Sequence, residues 1–277
     1  MFINSAQYIV HSAQLLQITF IAILGLIVGS FLTAFSYRFE NNMSIAKGRS
    51  ICPNCKKQIE WYDNIPVISY LLLDGKCRKC SKKISIRYPL IELMTAVVFL
   101  AVSLVYFNCL ANSNILCKTT EYLGFITLPY FLLIAALLLL IFVIDMEHQI
   151  IPDLFTFTLL ILVMLPITLI PFDDIYARLF AGFVPSVILL ILALITKGKG
   201  MGLGDVKFAI PAGMLAGWPG TLYWLYLSFL TGAVVGIILL LVGKASMKSK
   251  IAFGPFLVFS LIVTILFGDF LAGILIL

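Results

Sequence analysis

Charged side chains are scarce in this sequence, at 12% of 277 residues, and their scarcity excludes most classes of soluble protein. Hydrophobic residues make up 62% of the chain, so too few polar groups remain to cover a water-soluble globule. Low-complexity tracts are also missing, and only one polar stretch is long enough to form a small domain. The composition therefore predicts an all-α polytopic membrane protein.

Apolar runs near the roughly 20 residues needed to cross a bilayer recur along the chain. Seven are clear, and the first is too long for a signal peptide, so we expect it to remain as a helix. A weaker eighth run contains Pro211, Gly213 and Gly217 and can span only if neighbouring helices satisfy its loosened backbone. We expect about eight transmembrane helices, over residues 15–35, 90–107, 125–144, 154–170, 179–195, 206–218, 222–242 and from 251 onward.

Basic residues are distributed unevenly, and the positive-inside rule converts their distribution into an orientation. The stretch from Tyr37 to Arg87 holds eleven Lys or Arg against four acidic residues, so we expect it in the cytoplasm. With eight helices, 17 basic residues fall on that side and only Lys118 and Arg178 fall outside. With seven helices, the lysines between residues 244 and 250 would also lie outside, which favours eight.

Four cysteines in this basic stretch have the spacing of a metal site. Cys52-Pro-Asn-Cys55 is followed, after 21 residues, by Cys77-Arg-Lys-Cys80. Two such knuckles can supply four thiolates to one tetrahedral zinc ion, whereas a disulfide reading is disfavoured by a reducing cytoplasm. A closed four-cysteine site leaves no position for substrate, so its predicted role is structural.

The resulting division has three parts. Residues 1–36 form an N-terminal segment and helix 1, residues 37–89 a small cytoplasmic zinc-binding domain inserted between helices 1 and 2, and residues 90–277 a helix bundle. The two remaining cysteines, Cys109 and Cys117, fall in a loop predicted to lie outside. A disulfide and two unpaired thiols are equally open readings of that pair.

Two aspartates at the borders of predicted helices suggest catalysis, because acidic groups at the edge of a membrane are costly. Asp145 ends the third predicted helix, and Asp205 closes Gly202-Leu203-Gly204-Asp205 before the short sixth one. The predicted topology puts both at the cytoplasmic border. An aspartyl protease needs two carboxyl groups that share one proton, one activating water and the other donating to the scissile carbonyl. The glycines beside Asp205 would let the backbone approach an extended peptide.

Several nearby residues have open readings. Asp153 suits a helix N-cap as well as a supporting role. The glycines that precede Asp205 could instead bind phosphate, although the Lys-Ser/Thr of a P-loop is lacking. His148 is either a general base or a solvated loop side chain. Glu92, about a turn into the second helix, either supports function or has a structural role in which it snorkels toward water or pairs with Arg87.

These residues together resemble the bacterial type IV prepilin peptidases, bifunctional leader peptidases and N-methyltransferases that also serve type II secretion and competence. A Gly-x-Gly-Asp alone would be weak, but the ordered set covers most of the chain. The matching segments are Gly29-Ser30-Phe31-Leu32 with Tyr37-Arg38, the two cysteine knuckles around Trp61-Tyr62-Asp63-Asn64-Ile65-Pro66-Val67, Arg87-Tyr88-Pro89-Leu90 with Glu92, residues 145–153, Gly200 to Lys207, and Phe253-Gly254-Pro255-Phe256.

The resemblance implies that a prepilin or pseudopilin is cut after a glycine that ends a short basic leader. The new N-terminus would then be methylated from S-adenosylmethionine. Asp145 and Asp205 match the catalytic pair of this GxGD-type family, and Gly202, Gly204, Lys207, Asp153 and Glu92 are predicted to form or support the substrate loop. The expected location is the bacterial inner membrane with the active site at the cytoplasmic face, in contact with lipid and without a nucleic-acid partner.

The sequence departs from the family pattern at Thr33, where asparagine is usual, and at Phe39-Glu40, where Leu-Pro is usual. Both changes flank the domain associated with methyl transfer, and no residue pattern marks the methyl-donor site. A peptidase without methyltransferase activity is therefore an alternative. A transporter that uses the two aspartates as proton or cation ligands is a second, although no acidic residue marks a path across the membrane.

Overall fold

The computed structural model describes residues 2–41, 43–44, 48–109, 115–167, 172–198, 200–244 and 251–275. Within these ranges the regular structure is helical, and β pairing is limited to two isolated bridges, Ile51 with Gln58 and Lys76 with Lys83. Four lysines used in the orientation prediction lie outside the described residues: Lys47, Lys199, Lys248 and Lys250.

The described residues form ten α-helices and two short 3₁₀ helices, Trp61–Asn64 and Gly124–Ile126. Each predicted span falls on one helix, and the short helices α2 and α4 are additional. The α-helices are α1 (Phe2–Glu40), α2 (Ile68–Leu72), α3 (Arg87–Phe107), α4 (Ile115–Leu123), α5 (Thr127–His148), α6 (Asp153–Ile167), α7 (Phe172–Ile195), α8 (Leu203–Ala216), α9 (Gly220–Leu241) and α10 (Gly254–Leu275).

Five stretches among the described helices are long and apolar enough to cross a membrane: Leu15–Phe39, Arg87–Phe107, Gly124–His148, Ile175–Ile195 and Gly220–Leu241. Two shorter apolar helices, Asp153–Pro166 and Gly254–Gly268, accompany them. The all-helical membrane fold is therefore confirmed. The count of eight spans stays a prediction, because α8, which corresponds to the weak segment, has only 14 residues.

The chain divides into two compact units, Met1–Leu104 (unit 1) and Val105–Leu277 (unit 2). In unit 1, helix α1 crosses α3 at Gly25 and Gly29, which form a Gly-x-x-x-Gly pair. A Cβ at Gly29 would lie 2.6 Å from the Glu92 Cα, and one at Gly25 would lie 2.6 Å from the Ala96 Cα. Glycine therefore lets the two backbones touch, as small residues do between membrane helices.

In unit 2, helices α7 and α8 make an equally close contact. A Cβ at Gly213 would collide with the Ala181 carbonyl oxygen, and one at Gly182 would lie 2.8 Å from the Ile210 carbonyl oxygen. The Ser186 hydroxyl donates a 3.0 Å hydrogen bond to the Val206 carbonyl across the same pair. Packing without intervening side chains, together with hydrogen bonds across the interface, is how helices associate in lipid.

Other polar contacts fasten the remaining helices of unit 2. The fully buried Trp224 of α9 donates its indole N–H to the Leu257 carbonyl of α10 at 2.8 Å. Tyr130 of α5 donates to the Leu162 carbonyl of α6 at 3.1 Å. Cys109 and Cys117 are joined by a disulfide, so of the two interpretations of this pair the structure shows the disulfide.

Candidate active site and metal centre

Asp145 lies in the last turn of α5, with its side chain buried and only 4% of the residue exposed. A negative charge at the C-terminal end of its own helix is unfavourable. The compensating group comes from α10, where the backbone N–H of the first residue, Gly254, lies near the carboxylate. That N–H is one of the donors left unpaired at the start of a helix, and it carries the positive end of the α10 dipole.

The glycine at position 254 is required by space. A Cβ there would lie 2.5 Å from Oδ2 of Asp145 and 2.9 Å from its Cγ. The same Oδ2 is buried and accepts no well-aligned hydrogen bond from the described residues, so part of its acceptor capacity is unused. Gly254 belongs to a segment that carried the family resemblance, but its place beside Asp145 was not predicted.

Asp205 lies in the first turn of α8, where its charge is favoured by the helix dipole. Its Oδ2 accepts a 3.0 Å hydrogen bond from the backbone N–H of Gly202, the residue that precedes the helix. This contact is the acidic half of a capping box, because Gly202 has no side chain to complete the other half. Asp205 is 8% exposed, so the carboxylate is held rather than free to rotate in solvent.

The two carboxyl groups are brought within electrostatic range of each other. Ile151, which follows α5 and is 9% exposed, lies between the helices that hold them. A Cβ at Gly204 would lie 3.2 Å from the Ile151 Cβ, and a Cβ at Gly254 would lie 3.1 Å from its Cδ1. The starts of α8 and α10 therefore meet on one side chain: α8 carries Asp205, and α10 places Gly254 against Asp145 at the end of α5.

The predicted supporting residues Asp153 and Lys207 form an ion pair. Lys207 Nζ lies 2.8 Å from each carboxylate oxygen of Asp153, and both side chains are about half exposed. Asp153 is the first residue of α6, so this pairing, rather than a capping hydrogen bond, is its described contact. His148 is the half-buried last residue of α5, with Nε2 3.6 Å from Glu147 Oε2, and is not a solvated loop side chain.

The four predicted metal ligands in unit 1 come together. One sulfur from each of Cys52, Cys55, Cys77 and Cys80 lies within 4.8 Å of the others, which is close enough for one ion to contact all four. The two knuckles have the same backbone. The Cys52 N–H donates to the Lys57 carbonyl and the Cys77 N–H to the Lys82 carbonyl, each at 2.9 Å, and Lys56 and Ser81 take left-handed conformations at matching positions.

The electrostatics of the cluster favour a thiolate at Cys77. Backbone N–H groups of Lys79 and Cys80 donate to its sulfur and lower the pKa of Cys77 to about 7. Metals bind the thiolate rather than the thiol, so these donors assist ligation. The donor set of four sulfurs in one small volume fits a metal of the zinc type.

Glu92 is 7% exposed, and its Oε2 accepts a 2.7 Å hydrogen bond from the Val67 backbone N–H. The Ser30 hydroxyl also contacts this carboxylate. Glu92 therefore does not snorkel toward water, and its described partners do not include Arg87. The partner that was not predicted is the backbone amide of Val67, a residue with a positive φ of 58°. A contact of this kind cannot be read from residue types, because the donor is a main-chain group.

Two family models match the chain. The model for the bacterial peptidase A24 N-terminal domain matches residues 23–106, and the model for the type IV leader peptidase family matches residues 132–237. The chain is 30% identical to a prepilin leader peptidase/N-methyltransferase of Aeromonas salmonicida, over 94% of each chain. The chain belongs to the type IV leader peptidase family.

Other relatives of the same name extend the family across distant bacteria. A prepilin leader peptidase/N-methyltransferase of Pseudomonas aeruginosa is 30% identical over 89% of each chain, and one of Bacillus subtilis is 29% identical over 91% of this chain and 95% of the relative. No solved structure gives a significant match. The leader peptidase model covers Asp145 and Asp205, and the N-terminal domain model covers the cysteine cluster and Glu92.

Proposed function

We propose that this protein is a membrane aspartyl endopeptidase that removes the leader of type IV prepilins or pseudopilins and then methylates the new N-terminus. The observation that carries the peptidase half is the convergence of two buried carboxyl groups, Asp145 at the end of α5 and Asp205 at the start of α8. Family membership supports the substrate, since the relatives are named prepilin leader peptidases.

In the proposed reaction, one of Asp145 and Asp205 is ionised and the other carries a proton. The ionised carboxylate takes a proton from water as the oxygen attacks the scissile carbonyl carbon, and the protonated one donates to the carbonyl oxygen. As the tetrahedral intermediate collapses and the C–N bond breaks, the carboxyl that took the water proton donates it to the leaving amine, and the other regains its proton from the hydroxyl as the carbonyl re-forms. The Gly202 N–H holds Asp205 through a hydrogen bond, and Gly254 packs directly against the Asp145 carboxylate.

The proposed location is the inner membrane, with the carboxyl pair at the cytoplasmic border. The distribution of basic residues supports this orientation, because the region around the cysteine cluster is the most basic part of the chain. A prepilin whose mature part begins with an apolar helix would lie in the bilayer with its leader junction at that border. The proposed partners are therefore the substrate and the surrounding lipid.

The second activity, methyl transfer, requires a methyl donor, which we propose to be S-adenosylmethionine. When bound, that donor supplies an electrophilic methyl carbon on a sulfonium sulfur. Transfer would break the bond between that carbon and sulfur, form an N–C bond to the deprotonated terminal amine and leave a neutral thioether. The metal of the cysteine cluster is proposed to be zinc in a structural role, because four sulfurs leave no open coordination position.

The deciding experiment is cleavage of a prepilin by purified wild type, Asp145→Asn and Asp205→Asn. We expect each single variant to lose about 10²–10⁴-fold or more in rate, because general acid–base catalysis contributes on that scale. Asp74→Asn is a matched control, since it makes the same chemical change at an exposed position of unit 1. Full cleavage by either Asn variant would rule out the carboxyl pair.

A further inference from the structure

Helix α2 of unit 1 has its apolar residues on the outside and its polar residue on the inside. Ile68, Leu71 and Leu72 are 54%, 67% and 79% exposed, and at about 100° of rotation per residue they occupy one side of the helix. Ser69, by contrast, is only 6% exposed. A helix on a water-covered surface is expected to show the reverse arrangement. The outward apolar side therefore indicates that something other than water covers it.

Hydrogen bonds and ring packing fix this orientation of α2. The Ser69 hydroxyl donates to the Tyr62 carbonyl at 2.8 Å and accepts from the Ile65 N–H at 3.1 Å, which joins α2 to the 3₁₀ helix Trp61–Asn64. On the far side of α2, the Tyr70 ring packs so closely that a Cβ at Gly75 would lie 3.0 Å from it. Turning the leucines inward would break these contacts, so their exposure is built into the fold.

The apolar surface continues onto the neighbouring 3₁₀ helix, which packs against α2. The aromatic rings of Trp61 and Tyr62 are in edge contact, with their centres 5.7 Å apart, and both side chains are exposed. Ile65, in the turn between the two helices, is exposed as well. Six side chains thus form what we call the apolar face of unit 1: Trp61, Tyr62, Ile65, Ile68, Leu71 and Leu72.

The apolar face is tied to the border of a membrane-crossing stretch. The N–H of Val67, the residue directly before α2, donates to Glu92 Oε2 at 2.7 Å, and Glu92 belongs to the membrane-crossing stretch Arg87–Phe107. With a rise of 1.5 Å per residue, Glu92 lies only about 7–8 Å along α3 from its start. Helix α2 therefore begins at the depth at which α3 enters the bilayer.

The chemistry of the face and its surroundings fits the headgroup region of a bilayer. Tryptophan and tyrosine are enriched at membrane interfaces, because their rings are apolar with one polar group. The stretch from Tyr37 to Arg87 carries eleven Lys or Arg against four acidic residues, so its charge complements anionic lipid. One of these cations, the Arg78 guanidinium, lies 5.4 Å from the centre of the Tyr62 ring. Elements that combine an apolar side with basic neighbours lie in the plane of the interface.

We propose that the apolar face inserts into the boundary between headgroups and acyl chains in the leaflet where α3 begins. Unit 1 is then held at the membrane by the segment Trp61–Leu72 as well as by α1 and α3. The partner is a bilayer surface that contains anionic lipid. The inference does not depend on the proposed peptidase or methyltransferase activity, because it rests on the position and the exposure of this segment.

The test uses the full-length protein in nanodiscs of phosphatidylcholine and phosphatidylglycerol. Lipids brominated near the headgroup end of the acyl chain quench tryptophan at shallow depth, and acrylamide quenches tryptophan in water. The difference between the wild type and Trp61→Phe separates the signal of Trp61 from those of Trp218 and Trp224. We expect the shallow bromines to quench Trp61 strongly and acrylamide to quench it weakly. The reverse pattern would place the face in water, and protection from both quenchers would mean that protein covers it; either result overturns the proposal.

A second measurement asks whether the leucines hold the face in lipid. Leu71→Gln combined with Leu72→Gln should lose most of the quenching by shallow bromines and gain quenching by acrylamide, because these side chains supply much of the inserted apolar area. Ile86→Gln is the matched control, since it makes the same kind of change at an exposed residue outside the face, just before α3. A double variant that behaves like the wild type, or a control that loses as much quenching, would overturn the assignment.

Discussion

The cysteine cluster of unit 1 and the carboxyl pair of unit 2 are assembled in different ways. Each cysteine knuckle is a short turn whose own backbone hydrogen bonds point two sulfurs the same way, and the turn occurs twice. Asp145 and Asp205 instead come from separate helices; the Gly202 amide holds Asp205, and Asp145 packs against Gly254 at the start of α10. The cluster is thus defined mainly by local conformation, and the pair by helix packing.

This difference determines what damages each site. A cluster made from local turns depends on its own ligands and should tolerate changes elsewhere in the chain. A pair made by packing depends on residues that never touch substrate, because the distance between the carboxyl groups is set by where the helices meet. Ile151, which contacts the glycine positions of both α8 and α10, is such a residue.

The largest expected effect tests whether the two aspartates act as one unit. Combining Asp145→Asn with Asp205→Asn should reduce prepilin cleavage no further than the worse single variant, since residues that act together are strongly non-additive. Single-turnover cleavage rates of the three variants measure this. A double variant whose loss equals the product of the single losses would mean that the carboxyl groups act independently.

Removal of one cysteine should break the cluster and leave the helix packing intact. Cys77→Ser is expected to lower the metal content from about one zinc per chain to nearly none, because structural zinc sites depend on all their ligands. Elemental analysis gives the metal content, and limited proteolysis should show new cuts confined to residues 48–86. Cys109→Ser is the matched control, since that sulfur is in the disulfide and not in the cluster. Full zinc retention by Cys77→Ser would contradict the four-ligand site.

A smaller but more specific effect is expected at Gly254. An added methyl group would press on the Asp145 carboxylate, so Gly254→Ala should slow cleavage about tenfold to a hundredfold, as misplacement of a catalytic group does. Gly268→Ala in the same helix is the control, because a Cβ there meets nothing within 4 Å. Equal rates for the two variants would show that the α10 start does not position Asp145.

The smallest effect is expected at the exposed ion pair. Asp153→Asn and Lys207→Gln should each change the free energy of unfolding by less than about 1 kcal/mol, since water and salt screen a half-exposed pair. A double-mutant cycle by chemical denaturation in detergent would give the coupling. A coupling of several kcal/mol would mean that the pair is buried by substrate or lipid.

Much of this architecture was readable from the sequence, and the limits have physical causes. The cysteine cluster was predictable because its spacing fixes its geometry. The convergence of Asp145 and Asp205 could be anticipated only through topology and resemblance, because nothing local links them. The contacts of Gly254 and Val67 were not predictable, since a backbone N–H belongs to every residue type except proline. Asp153 and Lys207 were each predicted as supporting residues, but their ion pair was not predicted.

The contact between α7 and α8 has a mechanical consequence. Where Gly213 meets Ala181 there is no room for even one methyl group, so the two backbones are in direct contact and little space is left for one helix to shift against the other. We therefore expect α7 and α8 to move together as one rigid pair, which includes Asp205. We expect a rearrangement that admits a peptide to move the other helices of unit 2 more than it moves Asp205.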